Sequence, residues 1–426
     1  MTNMELFALL VFIFTYALII SERIHRTVAA MMGASIVLLA NIVPWEKVPI
    51  FLDLDTILLL AGMMIIVNTT RMSGLFEYIA IKTSKLAKGE PIRVLLLFSI
   101  VTALVSAFLD NVTTVLLLTP MLLYISKLME INPLPFLLSE IFASNIGGTA
   151  TLIGDPPNIM IGSAAGLSFN EFISNMGPIA LLDLVVMIII VYFAYREVLR
   201  VSEEKKERIL RTLDSLDERA AIRDLALFRK SIITIFVVIA LFFVHDRLGV
   251  EPAVVALFGA SLLLLWSREN PEGILEKVEW ATLFFFGGLF ILVGSLVETG
   301  FIEQIARWMM SYMHGEGEAM LIIAWFSAFA SAIIDNIPFT ATMIPLIKAM
   351  GTSLDTYPLW WALSLGACLG GNGTAIGASA NVVVIGIAAK EDIKITFVDF
   401  LKMGIIVMTL TVGVGIGVLW FRYVWW

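Results

Sequence analysis

The segment "SAFLDNVTTVLLLTP", residues 106–120, places an aspartate and an asparagine inside an apolar stretch, and "SAIIDNIPFTATMIP", residues 331–345, repeats the pattern. Asp110 is the only charged residue between Arg93 and Lys127. A carboxylate at membrane depth is energetically expensive, so its presence marks a functional site by default. The two segments therefore predict an internal duplication with one such carboxylate in each copy.

The composition is that of an integral membrane protein. Of the 426 residues, 59% are hydrophobic and 15% are charged, whereas soluble domains carry about 25% charged residues. Several apolar runs approach the roughly 20 residues that a helix needs to cross a bilayer, and alternation with a period of two is absent. The first run, residues 6–20, lacks a basic flank and a small-residue cleavage site, so we expect a retained helix rather than a signal peptide.

The duplication extends over the whole chain. "GGTATLIGDPPN" at 147–158 returns as "GGNGTAIGASAN" at 370–381, and the offset between copies is 223 to 226 residues in unbroken order. One charged segment, residues 196–230, separates the copies and is expected to be a cytoplasmic, helical linker. The predicted organisation is a first repeat 1–195 with a re-entrant hairpin 93–127 and a broken helix 139–164, the linker, and a second repeat 231–426 with a re-entrant hairpin 318–348 and a broken helix 358–389.

The hairpins determine the topology. Residues 94–126 are too many for one crossing and too few for two crossings with a turn, so a hairpin that enters and returns on the same side fits the length. Irregular backbone at membrane depth is tolerated where it is buried in protein or lines an aqueous cavity. Each repeat then has five crossings, and the odd number inverts one repeat relative to the other. We predict an inverted-repeat transporter fold with about 10 transmembrane helices.

The positive-inside rule agrees with this layout. With the amino terminus outside, the cytoplasmic segments hold 23 of the 28 Lys and Arg residues and the outer segments hold five. The expected location is therefore the inner (plasma) membrane, with many crossings. The single cysteine, Cys368, excludes an internal disulfide and a thiolate metal cluster within the chain.

Four elements are expected to meet near the middle of the membrane: the two hairpin tips and the two helices broken by glycine, proline and polar residues. Freed backbone carbonyls can coordinate a cation, and half-helix amino termini can hold an anion. The candidate substrate- or ion-binding residues are Asp110, Asn111, Thr113, Asn145, Gly147, Thr149, Thr151, Gly154, Asp155, Asn158, Asp335, Asn336, Thr340, Gly371, Asn372, Thr374, Gly377 and Asn381.

Simpler interpretations apply to some of these residues. Paired glycines often serve only close helix packing, and Asp155 can merely cap a half-helix. Glu140 and Asp183 are expected near the ends of spans, where carboxylates are usually solvated. Repetition in both halves, beside a hairpin tip, favours a binding function for the set as a whole.

The paired motifs resemble the ArsB/NhaD permease family, in particular the branch of the P protein, within the ion transporter superfamily. Over the whole chain this resemblance implies a transport domain with two re-entrant hairpins, elevator-type alternating access and a homodimer. It also implies Na⁺ or H⁺ as the coupling ion, without an organic cofactor. Sodium sites are expected at Asn111 with Gly147 and at Asn336 with Gly371.

The hairpin tips depart from a related pattern in an informative way. The distantly similar divalent-anion/sodium symporters have Ser-Asn-Thr at both tips. Here Asn111 and Asn336 match, but Asp110 and Asp335 replace the serines. A carboxylate repels a dicarboxylate at low dielectric, so the tips favour a cation, a proton or a neutral oxyacid such as arsenite or antimonite.

Several functions remain open from the sequence. The preferred one is secondary active transport of an inorganic ion or small neutral oxyacid by exchange with protons or together with sodium. A sodium-coupled di- or tricarboxylate (citrate-like) symporter is the alternative, and a channel or an intramembrane aspartyl protease with Asp110 and Asp335 is more remote. There is no nucleotide-binding loop, so arsenite pumping by ATP would need a partner ATPase. No nucleic-acid partner is expected.

Overall fold

The computed structural model describes residues 2–21, 23–313 and 315–425, which form helices joined by short connections and contain no strand. The helices of the first repeat are α1 (Asn3–Ser21), α2 (Arg26–Leu39), α3 (Val48–Phe51), α4 (Leu54–Met72), α5 (Leu75–Leu86), α6 (Pro91–Ser106), α7 (Asn111–Leu128), α8 (Leu134–Thr149), α9 (Pro156–Ala165) and α10 (Phe169–Tyr195). A short 3₁₀ turn, Trp45–Lys47, precedes α3.

The second half has the same order of long and short helices. After the linker helix α11 (Glu203–Asp214) come α12 (Leu225–Leu248), α13 (Pro252–Ser267), α14 (Pro271–Leu275), α15 (Trp280–Glu298), α16 (Phe301–Met310), α17 (Glu316–Ile333), α18 (Asn336–Met350), α19 (Tyr357–Gly370), α20 (Ser379–Lys390) and α21 (Phe397–Tyr423). Each of α1 to α10 thus has a counterpart among α12 to α21. The predicted linker, 196–230, extends too far at its carboxyl end, because residues 225–230 already belong to α12.

Eight of the described helices are long and apolar enough to cross a membrane. They are α1, α4, α7, α10, α12, α15, α17 and α21. The all-α membrane fold predicted from the sequence is confirmed. The spans α2 and α13 are shorter apolar helices, and α7 and α17 are arms of the two predicted hairpins.

Each hairpin turns at its aspartate because that residue begins the second arm. Asp110 accepts hydrogen bonds from the backbone amides of Val112 and Thr113, and Asp335 accepts one from Ile337. Such an N-cap satisfies donors that the first turn of a helix leaves unpaired. The sequence Asp-Asn therefore ends one arm and starts the next without leaving backbone groups unsatisfied.

Two pairs of helices from opposite repeats pack closely, α4 with α13 and α2 with α15. A Cβ on Gly62 of α4 would lie 2.9 Å from the Cβ of Ala256 in α13, and a Cβ on Gly288 of α15 would lie 2.8 Å from the carbonyl carbon of Ala30 in α2. These two contacts are equivalent, since both partners are shifted by the repeat offset. Small residues allow such close backbone approach in membrane helices.

The linker is docked rather than free. Lys206 of α11 pairs with Glu90, and Glu218 pairs with Lys85, both at 2.5 Å. A Cβ on Gly89, whose φ is +74°, would lie 2.5 Å from the carbonyl oxygen of Lys206. Lys85 lowers the pKa of Glu218 by hydrogen bonding. The linker thus lies against α5 and the start of the first hairpin.

The topology can be tested with cysteine labels in a Cys368→Ser background. We expect Ser215→Cys and Glu391→Cys to react with a membrane-impermeant thiol reagent from the cytoplasmic side, and Asn170→Cys from the outer side, because all three residues are exposed and the positive-inside rule separates them. Labelling of Ser215→Cys from outside the cell would contradict the inverted arrangement.

Candidate functional site

The two hairpin tips and the first residues of α9 and α20 surround a cavity of about 30 Å³, a space comparable to the share of one water molecule in the liquid. Asp110 and Asn111 line it from the first hairpin, and Asn336 from the second. The other lining residues are Arg26, Leu60, Met64, Val112, Asp155, Pro156, Glu279, Thr282, Ile337 and Ser379. The structure therefore brings the four predicted elements together around one small space.

A chain of buried asparagines joins the two repeats beside this cavity. Asn111 donates to Asn145 at 3.2 Å, and Asn145 donates to Asn372 and Asn381 of the other repeat at 3.0 and 3.1 Å. All four side chains are at most 3% exposed. The network joins the two broken helices through Asn145, and the side-chain nitrogen of Asn372 is buried without a partner among the described residues.

Asparagines also satisfy the backbone where the helices are interrupted. The amide of Asn158 donates to the carbonyl oxygens of Gly148, Thr149 and Thr151, at 3.0 to 3.3 Å. In the second repeat, Asn381 donates to Gly371 at 2.7 Å and to Thr374 at 2.9 Å. Carbonyls that the interrupted helix frees are thus hydrogen-bonded to protein, and their second lone pairs remain as acceptors.

Threonines fasten each break to its hairpin. The hydroxyl of Thr151 donates to the carbonyl of Ala107, and that of Thr374 donates to the carbonyl of Ala332 at 2.5 Å. Thr113 donates to Asp110. Two other predicted threonines do not line the cavity. Thr149 donates within α8 to the carbonyl of Asn145, and the buried hydroxyl of Thr340 has no hydrogen-bond partner in the described part of the chain.

The two tip aspartates are not equivalent, although the repeat predicts that they would be. Among the described residues, Asp110 accepts hydrogen bonds only from its own tip, from the backbone at the start of α7 and from the Thr113 hydroxyl. Asp335 additionally accepts from Arg26 at 3.2 Å and from Ser379 at 2.5 Å. Nor does either aspartate bind its neighbouring asparagine, because Asn111 and Asn336 face the broken helices instead.

Asp155 connects the repeats. It is fully buried, and its side chain does not cap α9. Both of its carboxylate oxygens instead accept from the amide of Asn336, at 3.2 and 3.3 Å. The second repeat has Ala378 at the matching position. This carboxylate of the first repeat is therefore held by the hairpin tip of the second.

Two charged residues of this region were not predicted from the sequence. Arg26, which begins α2, bonds Asp335 and Ser379 through one guanidinium nitrogen, and its guanidinium carbon lies 5.1 Å from the centre of the Phe285 ring. Glu279, just before α15, lines the cavity. Both residues lie at the start of a helix next to a loop. From the sequence, a charge in such a position indicates only the topology of the membrane segments.

The predicted site glycines serve close backbone contact. A Cβ on Gly147 would lie 2.2 Å from the carbonyl oxygen of Ala103 in α6, and one on Gly371 would lie 2.9 Å from the Cβ of Ala378. The carbonyl of Gly147 already accepts from the amide of Ala150. Neither glycine lines the cavity, and the sodium sites at Asn111 with Gly147 and at Asn336 with Gly371 stay predictions.

Two carboxylates that we expected near solvent are buried. Glu140 is 1% exposed and accepts from Thr119 at 3.1 Å, and both oxygens of Asp183 are buried without a hydrogen-bond partner among the described residues. The expectation was wrong for Glu140 because it lies in a helix, α8, that is surrounded by α6, α7 and α10 and is buried from Pro135 to its end. Asp183 lies on the buried face of α10, which packs against α8 and α21.

Comparison with known proteins places this architecture in a family. The sequence profile described as "CitMHS: Citrate transporter" matches residues 16–366. The chain belongs to the citrate transporter family. The match includes both hairpin tips and the first broken helix, and it makes the protein a multi-pass membrane transporter.

Full-length relatives carry less specific names. A "46 kDa membrane protein" of Mycobacterium leprae is 44% identical over 99% of both chains, and an uncharacterized transporter of Mycobacterium tuberculosis is 42% identical over the same share. The mouse P protein is 34% identical over 94% of this chain and 58% of its own length. The resemblance to the P protein noted from the motifs is thereby confirmed, whereas the assignment to the ArsB/NhaD family stays a prediction.

A solved structure supports the fold. The Alcanivorax borkumensis YdaH transporter, whose crystal structure is described as having an unusual topology, superposes with a TM-score of 0.56 over 89% of this chain and 88% of its own. Sequence identity is 13%, so this likeness concerns architecture alone.

The glycine contacts generate a test. A Cβ on Gly154 would lie 2.7 Å from the carbonyl oxygens of both Gly148 and Ser106, and one on Gly377 would lie 3.0 Å from that of Gly371. We expect Gly154→Ala to lower the free energy of unfolding by about 1–3 kcal/mol, as overpacking does, and Gly377→Ala to lower it less. Thermal unfolding of the purified protein measures both.

Gly413→Ala in α21 is the matched control, because nothing lies within 4 Å of a Cβ there. It should leave the melting temperature unchanged or slightly raised, since alanine favours helix over glycine. Equal melting temperatures for all three variants would contradict the packing role.

Proposed function

We propose that the protein is a secondary active transporter of an inorganic cation or a small neutral oxyacid, as in the ArsB/NhaD type. The substrate moves either in exchange for protons or together with sodium. The observation that carries the proposal is the charge around the cavity. Asp110, Asp155 and Glu279 line it, Asp335 lies behind Ser379, and Arg26 is the single positive side chain among the lining residues.

This arrangement is unfavourable for an anion that arrives without counter-ions. Unit charges 4 Å apart interact by about 4 kcal/mol at an effective dielectric constant of 20. Several carboxylates against one arginine therefore favour protons, cations and neutral species. A carboxylate that can hold either a proton or a cation, but not both, couples the two in opposite directions, which is the thermodynamic basis of antiport.

Alternating access is the transport mode that we propose. The binding elements come from two repeats, and helices of one repeat pack against helices of the other. Gly62 against Ala256 and Gly288 against Ala30 give those crossings equivalent contacts, which supports two related conformations of the same parts. An elevator movement of the hairpins and broken helices, a homodimer, and a plasma-membrane location with the amino terminus outside complete the proposal.

Citrate-like symport is the second candidate, and the family profile favours it. Arg26 is the one group at the cavity that could pair with a substrate carboxylate. A tricarboxylate is far larger than a cavity of about 30 Å³, so this function needs an open conformation and cations that offset the repulsion. Proteolysis is disfavoured, since Asp335 is paired with Arg26 rather than with Asp110.

Liposomes containing the purified protein test the proposal. We expect an imposed pH or sodium gradient to drive flux of labelled sodium or arsenite, and Asp110→Asn and Asp155→Asn to abolish that flux and its pH dependence. Asparagine keeps the N-cap of α7, so Asp110→Asn should fold. Asp335→Asn should abolish exchange or change the coupling ratio.

Glu298→Gln is the control carboxylate, because Glu298 pairs with Lys47 at the far end of α15. It should transport like the wild type. If the aspartate variants exchange at the original rate with the original pH dependence, the carboxylates are structural. If the wild type takes up citrate and neither sodium nor arsenite, the second candidate is correct.

A further inference from the structure

Arg26 stands between two cavities. The first is the cavity of about 30 Å³ already described. The second holds about 340 Å³ and is lined by residues of the α1–α2 connection, the second hairpin and α20, among them Ile24, Asp335 and Val383. Only Arg26 and Ser379 line both. These two side chains therefore lie at the boundary of both cavities.

The contact is a closed triangle. One guanidinium nitrogen of Arg26 lies 3.2 Å from Asp335 and 2.7 Å from Ser379, and the Ser379 hydroxyl donates to Asp335 at 2.5 Å. The Arg26 side chain is 31% exposed and that of Asp335 is 19% exposed. A partly solvated pair of this kind is weak enough to open and close.

The triangle joins parts that alternating access must separate. Arg26 begins α2, which packs on α15, and its guanidinium lies against Phe285 of α15. Asp335 and Ser379 belong to the second hairpin and to α20. The repeat offset puts Pro252 of α13 at the position that corresponds to Arg26. The positive charge is therefore present at one end of the transport path and absent from the equivalent position at the other.

We infer that Arg26 is a tethered counter-cation that occupies Asp335 when the transported cation is absent and must be displaced before Asp335 binds that cation. The inference rests on the proposed function and names a residue that sets its cation affinity. In this role the arginine offsets the charge of the emptied site, so the hairpin can move without an unpaired carboxylate. Because the equivalent residue of the second repeat, Pro252, carries no charge, the competition acts from one side of the membrane only.

The consequence is a lower affinity for the cation on the side that holds the α1–α2 connection, which promotes release there. Removing the arginine should tighten cation binding on that side and slow release. Lysine keeps the charge and should largely preserve wild-type behaviour. Loss of the Ser379 hydroxyl removes one partner of the arginine and should have a smaller effect in the same direction.

The experiment compares Arg26→Gln, Arg26→Lys and Ser379→Ala in liposomes of known protein orientation, with labelled sodium offered from either side. Arg26→Gln should lower the KM for sodium about three- to tenfold on the side of the α1–α2 connection, as expected when a partly exposed ion pair no longer competes. The KM on the other side should not change, and the maximal rate should fall. Arg23→Gln removes the same charge from the same connection and should behave like the wild type.

Four outcomes would overturn the inference. An unchanged sodium KM in a folded, monodisperse Arg26→Gln protein shows that the arginine does not compete, while the proposed function stands. Loss of labelled citrate uptake with unchanged sodium affinity assigns Arg26 to anion binding instead. If the wild type shows no sodium- or proton-coupled flux, the proposed function itself has failed. If Arg26→Gln does not fold, the sodium KM of Ser379→Ala is the deciding measurement. A sodium KM that stays at the wild-type value in Ser379→Ala contradicts the inference.

Discussion

Backbone hydrogen bonding away from water is the constraint on which this structure depends. A helix interrupted inside a membrane frees carbonyls and amides that lipid cannot satisfy, and each repeat contains such an interruption between its two half-helices. Asn158 and Asn381 satisfy freed carbonyls, because their amides donate to carbonyls on the amino-terminal side of each break. The hydroxyls of Thr151 and Thr374 each accept from a backbone amide two residues further on. The breaks can then be rigid and polar at once, which a binding site requires.

Satisfying the backbone in this way also fixes the position of the hairpins. Thr151 and Thr374 donate to carbonyls at the ends of α6 and α17, and Asn111 and Asn336 extend from the tips to the broken helices. In each repeat the threonine contact makes tip and break one hydrogen-bonded unit, and Asn336 links the two units, because it donates to Asp155 in the break of the first repeat. The cavity lies where the two units meet, so its charge depends on side chains from both repeats.

The sequence predicted the elements of the site better than their pairing. Repetition of Asp-Asn at the tips and of glycine with asparagine in the breaks was enough to place hairpins, interruptions and candidate residues. It could not show that Asp155 binds Asn336, because contacts between repeats depend on how two symmetric units are packed together. Arg26 was not predicted for a different reason. A cation at the start of a helix is typical of residues that set membrane topology, and only the fold brings this one close to Asp335.

The crossed helix pairs have a consequence for how the chain is made. α2 packs on α15 and α4 packs on α13, with Gly288 against Ala30 and Gly62 against Ala256. When the ribosome has completed the first repeat, α2 and α4 can pack against α1 and α9 of the same repeat, but the helices α15 and α13 that complete their packing do not yet exist. Assembly of the core therefore waits for the second repeat. The docked linker, by holding α11 against α5 from the middle of synthesis onward, shortens the distance over which the late helices search for the early ones.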